Sequence, residues 1–551
     1  MALRGSGTIL EEKRGWIGMK AKTRRRMILV LAAVFTAASL TAACSKSGEE
    51  AGDDSGRADA AANLTQEGFP IVKEPVTLKV FGCKDPNHAE WQDVLIFKEY
   101  EKMTNVKLQF DELPSNSQGC DEKRNLNFAA NELPDLFLRA NLTNTDIARY
   151  GQQEQMLIPL EGLIDKHAPN LKKMFEQYQE VKKSVTAADG HIYSLPTVRL
   201  QSSGRSDKIW INKEWLAKLN MKAPTNMDEL FTLLRAFRDN DPNGNGKQDE
   251  IPLGLRDIGM VYSTFAGSFG LEQQMSYQIN IKDDQVNIWL TDDRFKELLQ
   301  FLNKLYSEKL LWQDFYAGDI PKWRSNLSQA LYGMFFIQAS DPFLNVENQF
   351  TGMAPMKGPR GEQTYSATGP IAAPIGTFAI TKENKHPEAS IRWVDYFYSE
   401  EGSKFFQYGV EGETYTMKDG KPVINDSIKN DPRGFMAALG QVNLVPGGGF
   451  PHMVSDKFGN IVENDKVLEV NKFIESYLPK TVHGAPIFDK ETSDQIIPIK
   501  ADIDKYVKES VAKFIIGELS FDKWDEYVAT LKKMKIDELE KAYQKAYDAK
   551  K

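Results

Sequence analysis

Between Val76 and Leu138 the hydrophobic period switches from two residues to three or four and back, twice over, and that rhythm leaves few folds open. Val76, Leu78 and Val80 alternate with polar neighbours, Glu90–Met103 reads as a helix, and Val106, Leu108 and Phe110 alternate again. Glu122–Asn131 reads as a second helix, and Leu133-Pro134-Asp135-Leu136-Phe137-Leu138 closes the series. A helical crossover returns the chain to the edge it started from, so consecutive strands run in the same direction. The pattern predicts a βαβαβ unit around a parallel sheet covered on both faces. Ligands on such sheets sit beyond the carboxyl ends of the strands. The loops opening at Cys83 and Arg139 are therefore predicted contact regions, and they carry Asp85, Trp91 and Arg139.

Further along, Gly190–Pro196 reads as a turn and short strand, and the polar run Gln201–Asp207 as a crossing between lobes. Lys208-Ile209-Trp210-Ile211 is a strand. Helices open at Asn212 and after Pro224, the second with Thr225 as N-cap, Asp228 three places on, and a buried stripe of Met227, Leu230, Phe231 and Leu234. Met334–Ile337 and Phe378–Thr381 are strand-like, Pro387 opens a helix, and Asp419-Gly420 is a hairpin turn. The last third is helical, with Phe521, Trp524, Val528 and Leu531 on one face. A chain of 551 residues, 41% apolar, has material for two large lobes.

The start sets the compartment. Lys20, Lys22 and Arg24 to Arg26 precede an apolar run from Met27, and Leu40-Thr41-Ala42-Ala43-Cys44 follows. This reads as a secretory signal over residues 1–43, with Met19 a better start than Met1, and with Cys44 as a lipidation (palmitate) site. Residues 44–75 are rich in Gly, Asp, Glu, Ala and Ser and read as a flexible tether. The chain carries a net charge of -8; without residues 1–43, which hold eight basic and two acidic side chains, it is -14. Such an acidic chain without basic clusters excludes nucleic acid as a partner. Cys83 and Cys120 remain, either as a disulfide, which export permits, or as two free thiols.

One loop looks built for a hard cation. Asp241, Asn243 and Asn245 stand at places one, three and five, Gly246 at the tight turn, the Lys247 carbonyl at seven and Asp249 at nine. Pro252 occupies place twelve, so Glu250 at ten has to close the shell. The ion expected is a structural Ca2+; the same residue types also build ordinary turns.

The ordered set Asn131–Phe137, Ile192–Pro196, Trp210–Leu216, the calcium-like loop, Thr377–Thr381 with Pro387-Glu388-Ala389, Gly409–Tyr415 and Trp524–Tyr527 resembles the extracellular solute-binding proteins, family 1, of ABC importers, in their longer oligosaccharide-binding lipoprotein branch. The resemblance implies a two-lobed α/β fold of the periplasmic-binding-protein type with a hinge. It places the N-terminal lobe at 76–200 and 376–440 and the C-terminal lobe at 206–370 and 445–551. It also implies a lipid-anchored monomer on the outer face of the cell membrane, delivering an oligosaccharide to permease subunits without catalysing a reaction. It carries the loop's Asp241, Asn243, Asn245, Lys247, Asp249 and Glu250 over as calcium ligands.

Sugars offer an apolar C–H face and a polar rim, so stacking candidates are Trp91, Trp210, Tyr262, Trp312, Trp323 and Phe378, with Asp85, Arg139 and Asp341 for the rim. Each aromatic also suits a core, Trp91 and Trp210 less so because they lie near strand ends. A secreted glycosidase and a peptide receptor are the competing readings. The glycosidase needs two carboxylates across a cleft, which 77 acidic residues neither support nor exclude. No HExxH, nucleophile elbow or phosphate loop occurs, and the six histidines lack ligand spacing.

Overall fold

The computed structural model describes residues 60–551 except 61, 115–117, 261–264, 276–277, 339–344 and 367. The signal segment, Cys44, and the ligand candidates Tyr262 and Asp341 lie outside the described residues.

The βαβαβ unit forms. β1 (Val76–Lys84) runs parallel to β2 (Val106–Pro114) and to β3 (Leu136–Leu138), with Val76 opposite Val106 and Val80 opposite Leu136. The crossovers are helices Leu95–Thr104 and Gln118–Ala130. The first starts later than the sequence suggests, because Trp91–Asp93 makes a 3-10 turn and Val94 is extended before the helix begins. It ends at Asn105 with φ 59°, a left-handed cap that a short polar side chain tolerates.

The remaining strands are β4 (Thr197–Arg199), β5 (Lys208–Asn212), β6 (Ile251–Gly254), the hairpin β7–β8 (Ile279–Lys282, Gln285–Ile288), β9 (Tyr332–Ile337), β10 (Phe350–Met353), β11 (Phe378–Ile380), the hairpin β12–β13 (Tyr415–Lys418, Lys421–Ile424) and β14 (His452–Val454). Two four-stranded sheets carry the molecule, in order β11-β3-β1-β2 and β10-β5-β9-β6. Each sits in its own hydrophobic core. One core gathers Leu78, Leu136, Leu195 and Phe397, the other Trp210, Leu234, Phe335, Val467 and Phe514.

Two lobes follow from two cores, and the connections between them are the crossings. The chain leaves the first core after Val198 and enters the second at Ile209, returns between Tyr365 and Ile371, and passes over again after β14, with Ile487 alone reaching back into the first core. The first two crossings pair antiparallel through Val198 with Ala372 and Ser206 with Thr368, while β14 lies parallel to β4. The last crossing comes later than the lobe limits 440 and 445 suggest, since Leu444 and Phe450 are buried in the first core.

Two further sequence expectations are corrected. The segment before β1 is not all tether: Ile71 and Val72 are each 1% exposed in the first core, because the apolar stretch Phe69–Val72 has a surface to cover. The helix Met227–Asp239 is capped by Asn226, whose side chain accepts from the Glu229 N–H at 3.0 Å; the Glu229 carboxylate reaches back to Thr225 instead. Among the described residues, no helix is long and apolar enough to cross a membrane.

Candidate functional site

The loops at the carboxyl ends of β1 and β3 hold a latch. Arg139, at φ 50°, donates to the carbonyls of Gly448 at 2.6 Å, Gly447 at 3.1 Å and Cys83, and lies over the Phe450 ring. Asp85 stands 3.8 Å from its Nη2 and accepts from the Asn87 backbone and amide. Burial lowers the guanidinium's pKa, and the Asp85 charge partly restores it. Arg139 is 7% exposed, so it is a strut within the fold rather than an open rim group for a ligand; three carbonyls occupy it. Beside the latch, Cys83 and Cys120 form a disulfide with Cα atoms 5.8 Å apart.

The stacking candidates among the described residues lie inside. Trp91, Trp210 and Phe378 are 0% exposed, Trp323 1% and Trp312 5%. Trp210 donates to the Ile337 carbonyl, Trp91 to His88 Nδ1 and Trp323 to the Gly254 carbonyl, so their polar edges are satisfied within the protein. A strand-end position does not expose a ring when the loop folds back over it, as Phe450 does over Trp91 at 5.5 Å.

What the structure brings together instead is a cavity of about 660 Å3 walled by both lobes. The helix Gln179–Val185 supplies Gln179, Glu180 and Lys183 from the first lobe. The loop Pro479–Pro486 and the end of helix Ile536–Asp548 supply Lys480, His483 and Tyr547 from the second, with Lys550 and Lys551 just beyond it. Leu200, Ser202, Arg205 and Ile371 line it from the crossings. The volume falls within the usual range for small-ligand sites. Sequence periodicity misses these residues because they are polar, unpatterned and distant along the chain.

The lobes also touch around this cavity. Asn144 donates to the Ala485 and Pro486 carbonyls at 3.0 and 3.2 Å, and Gln152 to that of Phe488. Lys550 donates to the Lys183 carbonyl at 2.7 Å, and Lys183 to that of Lys551 at 3.2 Å. Burial lowers the Lys550 ammonium to about 8. Beneath, in the first crossing, Lys208 is 0% exposed, donates to the carbonyls of Ser203, Ser206 and Gln338, and is lowered to about 8 by burial. Burial raises the Glu463 carboxyl, against the pull of Lys208 and Arg199.

In the loop 241–250, Asp241 accepts the backbone N–H groups of Gly244, Asn245 and Gly246 at 2.7, 3.1 and 2.8 Å. Asp249 Oδ1 accepts the amides of Asn243 and Asn245 at 2.8 and 3.0 Å. Glu250 Oε2 is buried without a partner among the described residues, and its carboxyl is raised by burial and then by the charges of Asp241 and Asp249. A loop this rich in oxygen side chains, with the unpartnered Glu250 oxygen and its acid held above its usual range, fits a hard divalent cation, which would neutralise that repulsion. Acids alone do not make the site: no group of three or more His, Cys, Asp or Glu side chains stands ready for a metal among the described residues. The amide oxygens of Asn243 and Asn245 and the Lys247 carbonyl would have to complete it.

Two α/β lobes, paired crossings and a cavity with walls from both lobes define a solute binder of the periplasmic-binding-protein type. The chain belongs to the family of bacterial extracellular solute-binding proteins, whose model matches residues 85–404. That family is one of binding proteins rather than enzymes. A similar protein is the fructooligosaccharide ABC transporter substrate-binding protein FusA of Streptococcus pneumoniae serotype 4, 27% identical over 87% of this chain and 91% of that one. The solved structure of S. pneumoniae FusA in complex with kestose has a TM-score of 0.73 at 26% identity, covering 86% of this chain and 99% of that one. That of a FusA EF-hand mutant in complex with fructo-nystose has a TM-score of 0.72 at 25% identity, with the same coverage.

Proposed function

We propose that this chain is the oligosaccharide receptor of an ABC importer, tethered to the outer face of the membrane through Cys44 and docking on permease subunits as a monomer. The observation that carries this reading is the cavity lined at once by both lobes and by the crossings between them. A ligand there touches both lobes, so it binds more tightly when they are closed, and that difference in affinity drives closure. The sugar leaves chemically unaltered. The likeness to a fructooligosaccharide receptor supports this choice of cargo. Ca2+ is proposed as a structural ion held by Asp241, Asn243, Asn245, the Lys247 carbonyl, Asp249 and Glu250; it would bring the loop's acids together, and the EF-hand of the similar FusA supports it.

Titration calorimetry against a panel of oligosaccharides, run beside a product assay, tests the receptor. Heat of binding with no new product is expected. Conversion of any sugar would make the chain an enzyme, and silence toward all of them would end the oligosaccharide reading.

A further inference from the structure

The interlobe cavity has the opposite charge to the chain that encloses it. The protein carries -8 overall, yet five cationic side chains line this space, Lys183, Lys480, Lys550, Lys551 and Arg205, against the single acid Glu180. Lys551 is neutralised by Asp548 at 2.8 Å and Asp284 at 3.5 Å. The others are not held by carboxylate side chains. Arg205 donates to the Gly369 carbonyl and the Ser202 hydroxyl, Lys550 to the Lys183 carbonyl, and Lys183 to the Lys551 carbonyl. Lys480 Nζ has no partner among the described residues. Among the lining side chains, the four cations other than Lys551 face the single carboxylate of Glu180, an excess of positive charge. Burial depresses Arg205 and Lys550, which is what unpaired cations drawn out of water undergo. An incoming anion relieves that cost and forms charge-assisted hydrogen bonds with groups already in place.

Resting on the oligosaccharide reading, we propose that the cargo bears carboxylates, as a uronate-containing oligosaccharide does, and that Lys480, Lys550 and Arg205 select it by charge. Tyr547, which lines the cavity with His483 against its ring, is placed to meet one sugar ring, while the cations take the acid groups. A neutral fructan such as kestose offers them hydroxyl acceptors only, without the charge-assisted gain.

The test is calorimetry of the mature full-length chain with trigalacturonate, its fully methyl-esterified form, and kestose. The ester keeps the shape and removes the charge. The free acid is expected to bind about tenfold tighter than either neutral sugar, and the gap to shrink as salt rises from about 50 to 500 mM. Lys480→Gln and Lys550→Gln, each checked for an unchanged melting temperature, are expected to weaken the acid several-fold more than the ester. Equal affinity for acid and ester, or variants that do not discriminate between them, would overturn the charge selection and leave the receptor standing. Inorganic phosphate displacing the acid at equal concentration would overturn it too, by making this a simple anion site. No heat from any of the three sugars would overturn the uronate selection, while the oligosaccharide reading itself stands or falls on the wider panel.

Discussion

Single residues settle several local questions. Gly447, at φ 72°, sits where a Cβ would come within 2.2 Å of Asp85 Oδ2 and 2.6 Å of Arg139 Nη2. Gly447→Ala therefore breaks the latch and adds left-handed strain, and a loss of about 1–3 kcal/mol is expected in urea unfolding; an unchanged midpoint would show that the loop can move aside. In the calcium loop, chelator should lower the melting temperature of the parent chain, by the equivalent of about 2.7 kcal/mol if the ion stood at a hundred times its Kd. Asp241→Ala should abolish that difference; a chelator effect that survives the substitution would place the ion elsewhere. Asp395 is 4% exposed and caps the helix Pro169–Gln177 through the Asn170 and Leu171 N–H groups, yet burial holds its carboxyl up at about 6. Between about pH 4 and pH 6 the folded state keeps a proton that the unfolded chain has released, so this group makes stability fall as pH rises through that window. Asp395→Asn removes the titration, and the difference between the two stability curves should change by about 2–3 kcal/mol across it; parallel curves would mean an ordinary carboxyl.

Among the elements, β1 is the best anchored. It is paired on both edges, buried from Val80 to Cys83, and tied by Cys83–Cys120 to the helix that follows β2. The bridge spans a sequence separation of 37, and closing a loop of that length in the unfolded chain corresponds to about 4 kcal/mol in the chain-entropy account. Cys83→Ser with Cys120→Ser should accordingly lower the unfolding midpoint while sugar affinity stays the same. A loss of affinity with no loss of stability would assign the bridge to the binding face instead. The elements were also what the sequence conveyed best. Alternation in Val76–Val80 and Val106–Phe110, and the stripe through Leu230 and Leu234, report directly on which face is buried, since period two and period 3.6 arise from backbone geometry alone. Cap positions were less legible: Thr225, Asn226 and Glu229 all hydrogen-bond locally, and only the observed backbone shows which one turns the chain.

For the molecule as a whole, the question is closure. Leu200–Asp207, the Ser206 and Thr368 pairing and the segment after β14 form the narrow waist where the two cores part. Ligand bound across them should reduce the radius of gyration measured by solution X-ray scattering; a radius indifferent to saturating sugar would mean that the lobes do not move on binding. Order along the chain determined the two α/β lobes and the family, because each is written in neighbouring residues or in a fixed succession of short motifs; an export-signal pattern and a calcium-like loop pattern are legible in the same way. The tertiary structure alone decided that Trp91, Trp210 and Phe378 serve the cores, that Arg139 is a strut, and that Lys480, Lys550 and Arg205 share one cavity. Burial and charge balance depend on which distant segments meet, and no local pattern encodes that meeting.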